Sequence, residues 1–137
     1  MAKDLIHDAV KNALIKDGWT IVADPFRLDY KNFILRADIA AERRLPDGAV
    51  ALRVVVEVKS FAANSFVREL QQAIGQYMMY LDAITLNQLP YQLWLSVSDE
   101  AYRTSFQQSG AAFAVQQYGL KLLVVDVEQE EIVQWIE

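Results

Sequence analysis

The sequence predicts a single mixed α/β domain, and three observations carry that prediction. Apolar residues recur at helical spacing near the N-terminus and again around residues 65–84. Elsewhere the pattern changes to alternation or to short apolar runs, as strands require. These segments follow the order α-β-β-β-α-β-α-β-β, an antiparallel start followed by helical crossovers that call for a mixed central sheet. A chain of 137 residues suits one hydrophobic core, and no repeat, low-complexity segment or linker divides residues 1–137.

Each element has its own signal. Residues 3–17 read as a helix, with Leu5, Ile6, Ala9, Val10, Ala13 and Leu14 on one face and Gly18 as the stop. Residues 19–23 form a short strand closed by an Asp24-Pro25 turn. Residues 33–43 alternate, with Phe33, Leu35, Ala37, Ile39 and Ala41 facing one way and Arg36, Asp38, Ala40 and Glu42 the other. Leu45-Pro46-Asp47-Gly48 has turn chemistry, so residues 51–60 return as a hairpin partner. A second helix spans 65–84, with Phe66, Leu70, Ala73, Ile74, Tyr77, Leu81 and Ile84 on its core face. A strand at 91–97 leads to Ser98, the N-cap of a helix from 99 to about 117 that ends at Gly119. Strands at 120–127 and 132–136 complete the chain.

Composition excludes several classes. Hydrophobic content of 53% and charged content of 23% are those of a folded globular protein. No apolar run approaches the ~20 residues that span a bilayer, so no membrane role is expected. The N-terminus is charged and amphipathic, unlike a signal peptide, and a cytoplasmic location is the expectation. The absence of cysteine rules out disulfides and thiolate metal sites. A net charge of −5 argues against tight autonomous binding to phosphate backbones, for the first-half basic residues Arg36, Arg43, Arg44 and Arg53 are scattered.

The chemistry concentrates in RVVVEVKSF, residues 53–61. Alternation sends Glu57 and Lys59 to one face and Val54, Val56 and Val58 to the other. A tight turn at 46–48 then brings Asp38 of the partner strand close to Glu57. Two carboxylates about 4–6 Å apart repel, and a hard divalent cation relieves that repulsion. Magnesium takes only one or two protein carboxylates and leaves room for water and phosphate. A lysine beside it can orient or deprotonate the attacking water. By itself, an acid–lysine pair on an exposed strand is worth only about 0–1 kcal/mol as an ion pair and needs no catalytic explanation.

Asp38 followed by Glu57-Val58-Lys59, on the second and third strands of such a core, resembles the PD-(D/E)XK nuclease superfamily of restriction-endonuclease-like folds, with Ala37 where that motif has proline. The longer stretches AKDLIHDAVKNALIKDGWTIVADP, VEVKSF, LQQAIGQYMMY and IVQWI are similar to the XisH family over essentially the whole chain. That resemblance implies a factor controlling excision of the cyanobacterial fdxN element, acting on DNA with a site-specific recombinase and an XisI companion protein. The nuclease resemblance implies magnesium or manganese on Asp38 and Glu57, Lys59 as the water-activating base, and hydrolysis of phosphodiester bonds. Gln76 and Tyr80, stacked four residues apart with Gln72 beside them, resemble the Gln-X-X-X-Tyr of RecB-like nucleases, which positions the substrate strand. Read without the resemblance, they are the polar shoulder of a buried helix.

His7, the only histidine, sits at the boundary of the first helix's apolar face, where a metal or general-acid role competes with simple packing. Glu42 shares the Asp38 face as an outer contributor or as a partner for an arginine; Asp4 and Asp8 are weaker candidates. Trp19, Trp94 and Trp135 lie in strand-like segments and read as core. Two functions follow: a metal-dependent DNA endonuclease, or a non-catalytic regulator that uses a nuclease fold as a scaffold for partner proteins. A toxin–antitoxin or defence pair with the companion is a third. Duplex cleavage usually needs two active sites, which a homodimer would supply.

Overall fold

The computed structural model describes residues 4–137. The first helix, α1 (His7–Lys16), is followed by four strands, β1 (Thr20–Ala23), β2 (Phe26–Tyr30), β3 (Phe33–Ala37) and β4 (Ile39–Arg44). Strand β5 (Val50–Val58), helix α2 (Phe66–Leu86) and strand β6 (Gln92–Ser98) come next. Helix α3 (Asp99–Arg103), a 3-10 turn (Ser105–Gln107), helix α4 (Ser109–Gln117) and strands β7 (Leu122–Asp126) and β8 (Glu131–Ile136) close the chain. The helical start expected at residue 3 lies outside the described residues.

Six strands form one mixed sheet in the order β1-β4-β5-β6-β7-β8. β5, β6 and β7 run parallel, and the flanking pairs β4–β5 and β7–β8 are antiparallel. The two sheet faces are covered separately. Val54, Val56 and Val58 join Val10, Leu14 and Trp19 in the core beneath α1, while Val55 joins Leu70, Ala73, Tyr77 and Phe106 on the side of α2 and α4. The alternation of the valine run thus feeds two cores, which is why it reads as continuously apolar. Trp135 lies 5.5 Å from Trp19 and 4.9 Å from Trp94, ring centre to ring centre, as part of the α1-side packing.

Three expectations are corrected. The strand predicted over 33–43 is two strands broken at Asp38, and residues 26–30, given no element from the sequence, pair with 33–37 as a separate two-stranded sheet. The break changes faces: Ala37 and Leu35 belong to the α2-side core, whereas Ile39 and Ala41 belong to the α1-side core. The helix expected over 99–117 is interrupted at Thr104 and Gln108, where buried Phe106 turns inward between two short helices. Leu5, assigned to the apolar face of α1, is 85% exposed. No described helix is long and apolar enough to cross a membrane.

The β4–β5 turn follows its predicted chemistry. Asp47 accepts from the Ala49 N–H through its side chain, and Gly48 takes φ +90° where a side chain would be strained. The register that results pairs Ile39 with Val56 and continues toward Asp38 and Glu57.

Candidate functional site

The site begins as a backbone problem. Beyond Ile39 the chain leaves the large sheet for the β2–β3 hairpin, so the end of β5 loses its antiparallel partner. Side chains replace the missing ladder. The Val58 N–H donates to Asp38 Oδ2 at 2.7 Å, and the Asp38 N–H donates to Glu57 Oε1 at 3.2 Å. Two acidic residues are thereby drawn together where a sheet interior would otherwise exclude them.

Glu57 is only 6% exposed, and its carboxyl pKa is pushed up to about 9, first by burial and then by the adjacent Asp38 charge. At neutral pH Glu57 therefore keeps its proton beside Asp38. Lys59, just past the end of β5, acts weakly in the opposite direction on Glu57, and its N–H donates to the Ser96 carbonyl of β6. Tyr80, buried rather than lying on a polar ridge, donates toward the Arg36 carbonyl at 3.0 Å and lies 3.4 Å from Glu57 Oε2. Burial, followed by the Glu57 and Asp38 charges, raises the Tyr80 pKa, so its hydroxyl stays protonated.

His7, the first residue of α1, is also buried, at 2% exposure, rather than at the edge of the helix's apolar face. Its Nε2 lies 3.0 and 3.1 Å from the two oxygens of Asp24. A carboxylate only accepts, so Nε2 carries the hydrogen and Nδ1 points elsewhere. Nδ1 has no hydrogen-bond partner among the described residues and lies 3.8 Å from Asp38 Oδ1. Burial alone would raise the Asp24 pKa, but hydrogen bonds from Lys11 and His7 outweigh it and hold the carboxyl below its usual range. Asp24 escaped the sequence reading because its only local signal, the following proline, marked a turn.

Asp38, Glu57, Tyr80 and His7 therefore converge, with Lys59 at the edge. Gln76 lies one turn before Tyr80 with its Oε1 buried and unpartnered among the described residues. Glu42 is separate: it is four residues along β4 and pairs with Arg44. Asp4 accepts from the Ser60 N–H at 3.0 Å and its hydroxyl at 3.3 Å, and Asp8 is exposed. Among the described residues, no three acidic or histidine side chains form a ready-made metal cage. A cleft of about 490 Å3 near Ser60 is lined by Asp99, Glu100, Asp126, Glu128 and Arg103 and by none of the convergent residues.

These features define a mixed α/β domain that sets a buried carboxyl, Glu57, against a half-buried one, Asp38, where one strand breaks between two sheets. The chain belongs to the XisH family: the family described as XisH protein matches residues 1–133. It is similar to the crystal structure of an XisH family protein from Nostoc punctiforme, at 38% identity and a TM-score of 0.88, covering 98% of this chain and 100% of that one. It is equally similar to an fdxN element excision controlling factor protein from Anabaena variabilis, also 38% identical, with a TM-score of 0.89 and the same coverage. No curated relative matches the chain.

Proposed function

We propose that the chain acts in DNA element excision, as the name of its Anabaena relative indicates for that protein, through a PD-(D/E)XK-like metal-dependent nuclease site built on Asp38 and Glu57. The observation that carries this reading is the convergence of Asp38 with Glu57, only 6% exposed, at the end of β5, which raises the Glu57 pKa. A carboxylate pair that must take up a proton when alone is a pair that a divalent cation can hold ionised. The donor set fits magnesium or manganese. Asp38 and Glu57 supply carboxylate oxygen, and Nδ1 of His7, without a hydrogen-bond partner among the described residues, faces Asp38 while Asp24 orients the ring through Nε2. The cation would polarise a phosphoryl oxygen and lower the pKa of an attacking water. Lys59 would orient or deprotonate that water, and Gln76 and Tyr80 would position the strand.

A second reading is favoured by a specific observation: backbone amides already occupy one oxygen of each carboxylate. On this reading Asp38 and Glu57 only finish a strand end, and the fold is a scaffold for partner proteins such as an XisI-like companion or a recombinase. Calorimetric titration with Mg2+ and Mn2+ separates the two, using wild type, Asp38→Ala and Glu57→Ala, without and then with DNA. The nuclease reading expects binding that needs both carboxylates, with about one proton released at pH 7. A well-folded wild type that takes up neither ion in either condition removes it.

A further inference from the structure

The β2–β3 hairpin carries a charge arrangement that folding does not explain. Its register places Arg27 directly opposite Arg36. Like charges facing each other across a strand pair are destabilising. Both side chains are exposed, and Arg27 finds relief in Asp29 of its own strand at 2.9 Å. Arg36 has no ion pair among the described residues, nor does Lys31 at the hairpin tip. In a chain of net charge −5, this outward face is locally positive.

The face leads to the carboxylate pair. Ala37 is fully buried in the α2-side core, so its strand neighbour Arg36 turns away from that core, and Asp38 follows at the break between β3 and β4. Asp38 then meets Glu57 and His7, while the carbonyl of Arg36 holds the Tyr80 hydroxyl beside Glu57. Two residues of strand, roughly 7 Å, separate the guanidinium-bearing position from the acidic one.

We infer that Arg27 and Arg36 bind the phosphodiester backbone of a nucleic acid and deliver it to the Asp38–Glu57 site. The inference rests on the nuclease reading of that site and assigns its approach surface. An anionic backbone relieves the Arg27–Arg36 repulsion, and the fixed fork of each guanidinium suits phosphate oxygens. The overall negative charge keeps contacts local, so binding needs this hairpin.

The test is fluorescence anisotropy with labelled single-stranded and duplex oligonucleotides over a salt series, in EDTA and again in Ca2+. Arg27→Gln/Arg36→Gln is compared with wild type and with Arg103→Gln on α3. The expected result is a loss of about tenfold or more at low salt and a log–log salt slope flatter by about 1.4 to 1.8, as for two lost phosphate contacts. Arg103→Gln should bind as wild type does. Thermal stability of the double variant should match or exceed wild type, since repulsion is removed. Unchanged affinity and slope overturn the assignment, as does wild type that binds neither probe at low salt. A double variant altered only in self-association, by sedimentation, makes the face a contact between copies and also overturns it. Metal titration without nucleic acid reports separately on the carboxylate pair. Hairpin-dependent binding in EDTA by a protein that takes up no metal leaves the surface standing and removes the nuclease reading.

Discussion

Replacing Glu57 by Gln should leave the protein nearly as stable as wild type in acid and make it more stable in mild base. Glutamine keeps the shape and the acceptor for the Asp38 N–H but cannot ionise. In wild type the carboxyl titrates near its ordinary value of 4.5 when unfolded and near about 9 when folded. Between those limits the folded state holds a proton that the unfolded state has lost, so stability falls as pH rises. The contribution is fully present below about pH 4.5 and gone above about pH 9. One proton corresponds to about 1.4 kcal/mol per pH unit, so from pH 6 to pH 8 wild type should lose up to about 2.7 kcal/mol relative to Glu57→Gln. Urea denaturation of both proteins at pH 6, 7 and 8 in EDTA measures this difference, and groups unaffected by the substitution cancel from it. Curves that remain parallel across the range would show that Glu57 is ionised in the fold, and the case for a cation-seeking pair would fail.

Other substitutions address the remaining contacts. Tyr80→Phe removes the hydroxyl that reaches the Arg36 carbonyl and Glu57, and should cost about 1–2 kcal/mol in urea denaturation while Mn2+ affinity stays within a few-fold. Asp24→Asn loosens the His7 tautomer and should weaken Mn2+ binding by about 10-fold or more by calorimetry. Ser65→Ala deletes the oxygen that accepts from the Arg68 N–H at the start of α2 and should cost about 0.5–2 kcal/mol, with no change in metal binding. Gly48→Ala meets open space but keeps φ +90°, so thermal denaturation should report about 1 kcal/mol of backbone strain.

What the sequence revealed followed from periodicity. The β4–β5 turn, the second helix and the valine strand each have a repeating pattern or a turn residue that acts within a few positions. The β4–β5 register alone was enough to bring Asp38 near Glu57. The break at Asp38 was hidden because alternation is blind to a strand that changes sheets: Leu35, Ala37, Ile39 and Ala41 keep perfect spacing while serving two different cores. The β2–β3 hairpin was missed for a related reason. Phe26, Leu28 and Tyr30 do alternate with Arg27 and Asp29, but the run is only five residues long and gains a partner only by pairing with β3. Asp24 was illegible as a site residue, for its partner His7 lies 17 positions away and no local pattern links them.

The break also explains why the acidic pair can exist. Within an uninterrupted antiparallel ladder, backbone groups would satisfy the edge of β5 and the two carboxylates would have no amide to bond. Diverting the chain at Asp38 frees one amide on each side, and each carboxylate accepts one of them. Each carboxylate has a second oxygen: Asp38 Oδ1 facing His7 and Glu57 Oε2 facing Tyr80. A structural cap needs only the first two oxygens. The second two, held near an unpartnered imidazole nitrogen and a phenol hydroxyl, are what a cap would not require. Substituting Asp38 by Asn therefore discriminates between the roles. Asparagine still accepts from the Val58 N–H, so the fold should survive with a loss near 1 kcal/mol. Removal of the Asp38 charge, the second cause of the raised Glu57 pKa, should bring that pKa down and abolish metal uptake. An Asp38→Asn protein that binds Mn2+ as wild type does would place the cation elsewhere and leave the pair as architecture.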